Sequence, residues 1–257
     1  MMPDNDALLK EMFPAWMANF RANLPTIWGS RCICELNNTI GNPAIIVGAG
    51  PSLLGRNHPQ KLAEAKREGL NATIICCDRA LEPCIKLGLV PDIVTAIDAD
   101  PQVSKFFHDI SMYRSVQRIR AVFSTTVHPD VVEGWPGWLS NVYFVNSHIA
   151  GKVSDPHGPD AVMQHVSGKI IMNTGGNVGI FSMILATYMG AKNIALVGMD
   201  MSGHHEIYEE AARTWISGLS KDLGLRTVNC TEGGNLHAVD NMEEMPLSEW
   251  LEMFKQK

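Results

Sequence analysis

Residues 73–101, TIICCDRALEPCIKLGLVPDIVTAIDADP, contain two short apolar runs that each lead straight into carboxylates. The runs 73–77 and 93–97 are rich in β-branched residues and show no polar alternation, the pattern of strands covered on both faces. Asp78 ends the first, and Asp98 and Asp100 end the second. Between them residues 80–87 have helical spacing, with Gly88 placed to close the helix and Pro91 just beyond, so the stretch reads strand, helix, strand. Two parallel strands joined in this way bring their carboxyl ends to one edge, where open α/β sheets bind ligands.

Three carboxylates on one rim repel one another unless a cation or hydrogen-bond donors compensate them. Oxygen-only donors suit hard cations, so Mg²⁺ held by one or two of these side chains together with substrate phosphates is the matching chemistry. The competing reading is local: Asp78 caps the helix that follows, and Asp98 or Asp100 fixes the turn before Pro101.

The rest of the chain repeats the alternation. Residues 44–47 form a first buried strand that runs into Gly48-Ala49-Gly50-Pro51-Ser52-Leu53. Such glycines let backbone amides approach a phosphate, and Ser52 adds a hydroxyl at the start of a helix. The dinucleotide pattern GxGxxG fails, because Leu53 stands at its third glycine, and Pro51 removes one amide donor. A purely structural tight turn is the alternative. A second polar, glycine-rich loop, Asn173-Thr174-Gly175-Gly176-Asn177-Val178-Gly179, feeds a nearly uncharged helix over 180–189. The strand 194–197 ends in Gly198-Met199-Asp200, a fourth strand-then-carboxylate arrangement. Further strands are expected at 121–124, 142–145 and 226–230, with helices at 101–112, 206–223 and 247–254. Residues 146–168 show no regular pattern and read as a lid or substrate loop. His128, before Pro129, reads as a general base, a phosphate ligand or a helix-opening residue, and His204 and His205 lack the further spaced ligand a zinc site needs.

At the N-terminus, residues 5–24 carry a broad apolar stripe at helical period, which packs on the domain or supplies a subunit interface; residues 21–38 lack a clear period. A homo-oligomer is thus compatible with the sequence. The formal net charge of −6 and the lack of a Lys/Arg run argue against nucleic acid as a partner. No apolar stretch reaches the roughly 18–20 residues of a membrane helix, and no basic-then-apolar leader is present, so a cytoplasmic protein with no membrane partner is expected. The six cysteines show no metal-ligand spacing; Cys76 and Cys77 read as buried small hydrophobes, and Cys32 and Cys34 at most as an unusual redox pair. The expected fold class is α/β, an open, mostly parallel, Rossmann-like sheet with helices on both faces and an added N-terminal helix. Its organisation is an N-terminal helical extension over 1–40, an α/β nucleotide-binding domain over 41–230, and a C-terminal tail and helix over 231–257.

GAGPSL at 48–53, PDIVTAIDADP at 91–101, NTGGNVG at 173–179 and LVGMD at 196–200 together resemble the 6-hydroxymethylpterin diphosphokinase MptE-like family, over roughly residues 43–203. The central stretch is also similar to thiamin pyrophosphokinases, in which the acidic motif is Gly-Asp-Phe-Asp-Ser. Here Ala96-Ile97-Asp98-Ala99-Asp100 keeps both aspartates and their spacing without the flanking glycine and serine. The resemblance implies Mg²⁺-dependent transfer of a diphosphate from ATP to the hydroxymethyl group of a pterin-like alcohol, with release of AMP. It assigns Asp98 and Asp100 to the metal, and Asp78 to the metal shell or the alcohol proton. It gives Gly48, Gly50, Pro51, Ser52, Asn173, Thr174, Gly175, Gly176, Asn177 and Asp200 to the nucleotide or substrate. The same family label spans proteins similar to flagellin-modifying glycosyltransferases, which implies a second reading: sugar transfer from a CMP-activated donor, with His204 or His205 as base. A non-catalytic nucleotide-binding module is the third, and it needs no clustered carboxylates.

Overall fold

The computed structural model describes residues 5–149, 155–202 and 206–254. His204 and His205 lie outside the described residues. The chain divides into two compact units, one formed by Met1–Leu36 with Ala96–Thr174 and the other by Asn37–Thr95 with Gly175–Lys257.

In chain order the strands are β1 (Arg31–Cys32), β2 (Ala44–Val47), β3 (Thr73–Cys77), β4 (Ile93–Ala96) and β5 (Arg120–Ser124). They continue with β6 (Val142–Ser147), β7 (Ile171–Met172), β8 (Asn193–Val197), β9 (Arg226–Asn229) and β10 (Met242–Glu244). The second unit holds the strand order β4-β3-β2-β8-β9-β10, all pairs parallel. Every residue of β2 and β3 is buried, as their uninterrupted apolar runs require. Val47 pairs with both Cys76 and Val197, so the loops after β2, β3 and β8 leave from one edge. At the opposite edge Asp92 accepts the Ile74 amide at 2.8 Å and pairs with Lys66 at 2.8 Å, which makes this aspartate a fastening of β4 to β3. In the first unit β6 lies between β1 and β5 and also pairs with β7, again in parallel. Its core is a cluster of edge-to-face rings: Phe107, Phe123 and Trp135 meet one another at centroid distances of 5.8–6.0 Å, and Phe144 meets Phe123 edge-to-face at 6.2 Å. The α/β class and the parallel sheet read from the sequence are thus observed.

Several boundaries differ from expectation. The N-terminal helix continues to Gly29 through Pro25, because its second half is fastened by side chains and not only by an apolar stripe. Asn19 donates to the carbonyls of Ala99 and Thr126, and Asn23 to those of Thr125 and Val127. Both asparagines are buried, beside Phe20 and Ile27, so this face packs within its own unit. The segment 101–112 is only a 3₁₀ turn, Pro101–Ser104, and one α turn, Lys105–His108. The stretch 146–168, expected to be irregular, contains the helix Pro159–Ser167, opened by Pro159 and closed by Gly168 in the left-handed region. The helix His58–Arg67 escapes periodicity because its buried side is short and alanine-rich, with Leu62, Ala63 and Ala65 among charged neighbours. Among the described residues no helix is long and apolar enough to cross a membrane. Cys76 and Cys77 are buried, and burial pushes both thiols up, out of the reactive range.

The asparagine fastening gives a stability test. Asn23→Ala leaves two carbonyls without their buried donor and is expected to cost about 1–3 kcal/mol in urea unfolding. A change below roughly 0.5 kcal/mol, the range of an ordinary surface substitution, would contradict the fastening.

Candidate functional site

In the second unit the loop after β2 and the loop after β8 interlock around one carboxylate. Asp200 is 4 % exposed. Its Oδ1 accepts the Ser52 amide at 3.1 Å, and its Oδ2 accepts the Ser52 hydroxyl at 2.6 Å. Gly50 is required by this contact, since a Cβ there would lie 1.9 Å from Asp200 Oδ2. Gly234, on the loop after β9, covers the other side: its Cβ would fall 2.6 Å from that of Asp200, and the Asn235 amide donates to the Asp200 carbonyl at 2.7 Å. Three further amides of the loop have acceptors inside the protein. Gly48 donates to Val197, Gly50 to Gly198 and Leu53 to Gly50. A phosphate cradle needs amides that point at solvent, whereas the amides of Gly48, Gly50, Ser52 and Leu53 all have acceptors inside the protein. Two motifs that the sequence presents separately, GAGPS and LVGMD, are therefore halves of one knot, and Pro51 is its exposed outer residue.

On the same edge, Asp78 follows β3 as the first residue of the helix Asp78–Lys86; it is buried, and its Oδ1 accepts the Arg79 amide at 2.6 Å. The capping position expected for it is taken by Cys77, which makes no side-chain cap bond, so Asp78 is the first residue inside the helix and not its cap. Gly175 and Gly176 both take left-handed backbone, and a Cβ on Gly175 would strike Ile180 Cγ2 at 2.1 Å. Asn177 caps the helix Val178–Tyr188 by accepting the Ile180 amide at 2.9 Å. Its Nδ2 is buried and carries no partner among the described residues.

One part-buried histidine–carboxylate contact lies beside the knot and escaped sequence reading, because its partners are far apart in the chain. His58 is fully buried, with Nε2 3.2 Å from Glu232 Oε1. Burial lowers its pKa, outweighing the opposing pull of Glu232, while Lys61 lowers it further. For Glu232 burial acts upward, but the Leu247 amide, His58 and Lys61 together hold the carboxyl below its usual range. The contact is thus a neutral imidazole against a carboxylate.

In the first unit, Asp98 and Asp100 stand on successive turns after β4. Asp98 Oδ1 accepts the Asp100 amide at 3.0 Å, and Asp100 Oδ1 accepts the Gln102 amide at 2.7 Å. Each spends one oxygen on the backbone and stays exposed, with Oδ2 free of a partner among the described residues. The turn is held from below: Asn19 binds the Ala99 carbonyl, and the His128 amide donates to the Asp98 carbonyl at 3.1 Å. His128 itself accepts the Asp130 amide through Nδ1, so its ring opens the helix Pro129–Glu133. Asn173 and Thr174 follow β7 in this unit, apart in that division from Gly175, Gly176 and Asn177. Among the described residues no group of three or more His, Cys, Asp or Glu side chains is arranged to hold a metal. Two free carboxylate oxygens fit Mg²⁺ only as a shared ligand set completed by substrate phosphates, which is how this ion is ordinarily bound.

The model of one family, described as 6-hydroxymethylpterin diphosphokinase MptE-like, matches residues 18–206. The chain belongs to the MptE-like family. No curated protein matches it. Among solved structures the MptE-like chain is similar to the MAf glycosyltransferase from Magnetospirillum magneticum AMB-1, at 15% identity and a TM-score of 0.60, over 89% of this chain and 38% of that one. The chain thus spans well under half of that protein, and at this identity the likeness shows the fold alone. The sialyltransferase CstII from Campylobacter jejuni, solved in complex with cytidine-5'-monophosphate, is similar at 14% identity and a TM-score of 0.42, over 78% of this chain and 84% of that one.

Two outcomes are expected of the MptE-like chain. Gly50→Ala forces Asp200 away from Ser52, and overpacking of this kind costs about 1–3 kcal/mol or more; an unchanged urea midpoint would contradict the knot. The His58–Glu232 contact sets a pH dependence. A histidine whose folded pKa is depressed binds fewer protons folded than unfolded, so stability falls as pH drops below the unfolded value of about 6.5. Glu232 is depressed as well, and its stabilisation is lost only below about pH 4.3. Urea midpoints measured between pH 7.5 and 5.5 should fall for the native chain and flatten for His58→Gln; equal slopes would contradict the buried neutral imidazole.

Proposed function

We propose that the chain is a nucleotide-dependent transferase that moves a diphosphate from ATP to the hydroxymethyl group of a pterin-like alcohol and releases AMP. The observation that carries this reading is the Asp98–Asp100 turn, where two exposed carboxylates each keep an oxygen free in a chain of the MptE-like family. Mg²⁺ held there together with the nucleotide phosphates supplies charge neutralisation for the transferring group. Asp78, buried and bound to the Arg79 amide, belongs in this reading to the walls that orient substrate. In the second unit Asn177, with its unpartnered Nδ2, and the neighbouring Gly175 and Gly176 contact the nucleotide or the alcohol in this reading. Gly48, Gly50, Pro51, Ser52 and Asp200 act as a unit: the knot offers a rigid, amide-poor surface that suits base or ribose better than phosphate.

That last property favours a second reading. A glycine loop with the amides of Gly48, Gly50, Ser52 and Leu53 engaged and a carboxylate at its centre does not call for a triphosphate, and sugar transfer from a CMP-activated donor fits it as well. The test is turnover. With ATP, Mg²⁺ and 6-hydroxymethyl-7,8-dihydropterin, AMP should form in step with the diphosphate ester. Asp98→Asn and Asp100→Asn should each lower kcat by about 10²-fold or more, the scale on which removing a group that stabilises transition-state charge is felt. Release of CMP from a CMP-sugar, with no AMP from ATP, would replace the first reading by the second; nucleotide binding with neither product would leave a binding module.

A further inference from the structure

The first unit contains a histidine and a carboxylate that no reading above has used. The ring of His148, the residue after β6, is 23 % exposed, and its amide donates to the Met172 carbonyl at 3.0 Å. The pairing of Ser147 with Met172 sets it at the carboxyl end of the sheet, level with the start of the Asn173-Thr174 segment. Asp160, in the first turn of the helix Pro159–Ser167, is 2 % exposed. Its Oδ1 accepts the Ile149 amide at 2.9 Å, and its Oδ2 forms a short contact with His148 Nδ1. The helix carrying it is fastened at its far end, where Asn146 Nδ2 donates to Ser167 Oγ at 2.9 Å and Trp28 Nε1 to the Val166 carbonyl at 2.9 Å.

This is an oriented imidazole. A buried carboxylate on Nδ1 selects the tautomer with its proton there, leaves the lone pair on Nε2, and stabilises the imidazolium once Nε2 has taken a proton. Nε2 has no hydrogen-bond partner among the described residues. The other histidines with defined partners are arranged differently: His58 is fully buried, His128 spends its Nδ1 lone pair on a backbone amide, and His237 meets an exposed glutamate. Only His148 among these combines a partly open ring with a buried carboxylate.

We propose that His148 is the proton acceptor that activates the acceptor alcohol, and that Asp160 is the residue that positions it. This rests on the transferase reading above. In the step, the alcohol O–H bond breaks and its proton passes to His148 Nε2, while the oxygen forms a bond to the β-phosphorus of ATP. The bond from that phosphorus to the α,β-bridging oxygen breaks, and AMP leaves with the electron pair. The proton on Nε2 then returns to solvent.

The experiment pairs kinetics with chemical modification. His148→Ala and, in case alanine perturbs folding, His148→Gln should lower kcat by about 10²-fold with the KM for ATP nearly unchanged. Asp160→Asn should show a comparable loss, and the double variant His148→Ala/Asp160→Asn should be no slower than His148→Ala, because the carboxylate acts through the imidazole. In the native chain, diethyl pyrocarbonate should modify His148, and 6-hydroxymethylpterin should protect it. Near-native kcat in both His148 variants overturns the assignment while leaving the transferase reading intact. If the native chain forms no AMP, the transferase reading fails; absence of pterin-dependent protection of His148 then overturns this inference too, and protection upholds it for another donor.

Discussion

The second unit depends on the insertion of one carboxylate between two loops. Asp200 is bound by the amide and hydroxyl of Ser52, 148 residues earlier in the chain, and is enclosed by Gly50 on one side and Gly234 on the other. Removing the Ser52 hydroxyl would leave a buried carboxylate oxygen without its donor, a loss of about 1–3 kcal/mol. The glycines around it follow from this contact. They are needed because strand ends and loops approach to distances that leave no room for a Cβ, which assigns part of a nucleotide-like motif to architecture.

The strands were legible for a simple reason. Fully buried parallel strands need uninterrupted apolar, β-branched runs, and β2, β3 and β8 have them, so their carboxyl ends and the residues that follow could be placed on one edge. Helix limits were less legible where polar side chains do the fastening. Asn19 and Asn23 look like interruptions in an apolar stripe, yet they bind the carbonyls that shape the Asp98–Asp100 turn and the loop after β5. The two-residue strands β1 and β7 are too short to carry a period, and β10 is an exposed, acidic edge.

The candidate site was legible as a set of residues but not as a set of partners. Asp98 and Asp100 follow the turn-forming alternative weighed for them, and each keeps one oxygen without a partner among the described residues. Asp78 and Asp200 are more deeply committed to backbone and hydroxyl donors. The pairings His58–Glu232 and His148–Asp160 arise from tertiary packing between residues that no local spacing connects. They are also where titratable groups are held most specifically, one as a neutral imidazole in the core and one as an oriented ring at the sheet edge.

The central claim is that the exposed acidic turn and the nucleotide act together through a shared cation. Calorimetric titration with a non-hydrolysable ATP analogue, with and without Mg²⁺, addresses it directly, using the native chain, Asp98→Asn and CMP as the competing nucleotide. Binding of the ATP analogue that strengthens with Mg²⁺ in the native chain and loses that dependence in Asp98→Asn is the expected result. Binding of CMP that is tighter than that of the analogue and indifferent to Mg²⁺ would contradict it.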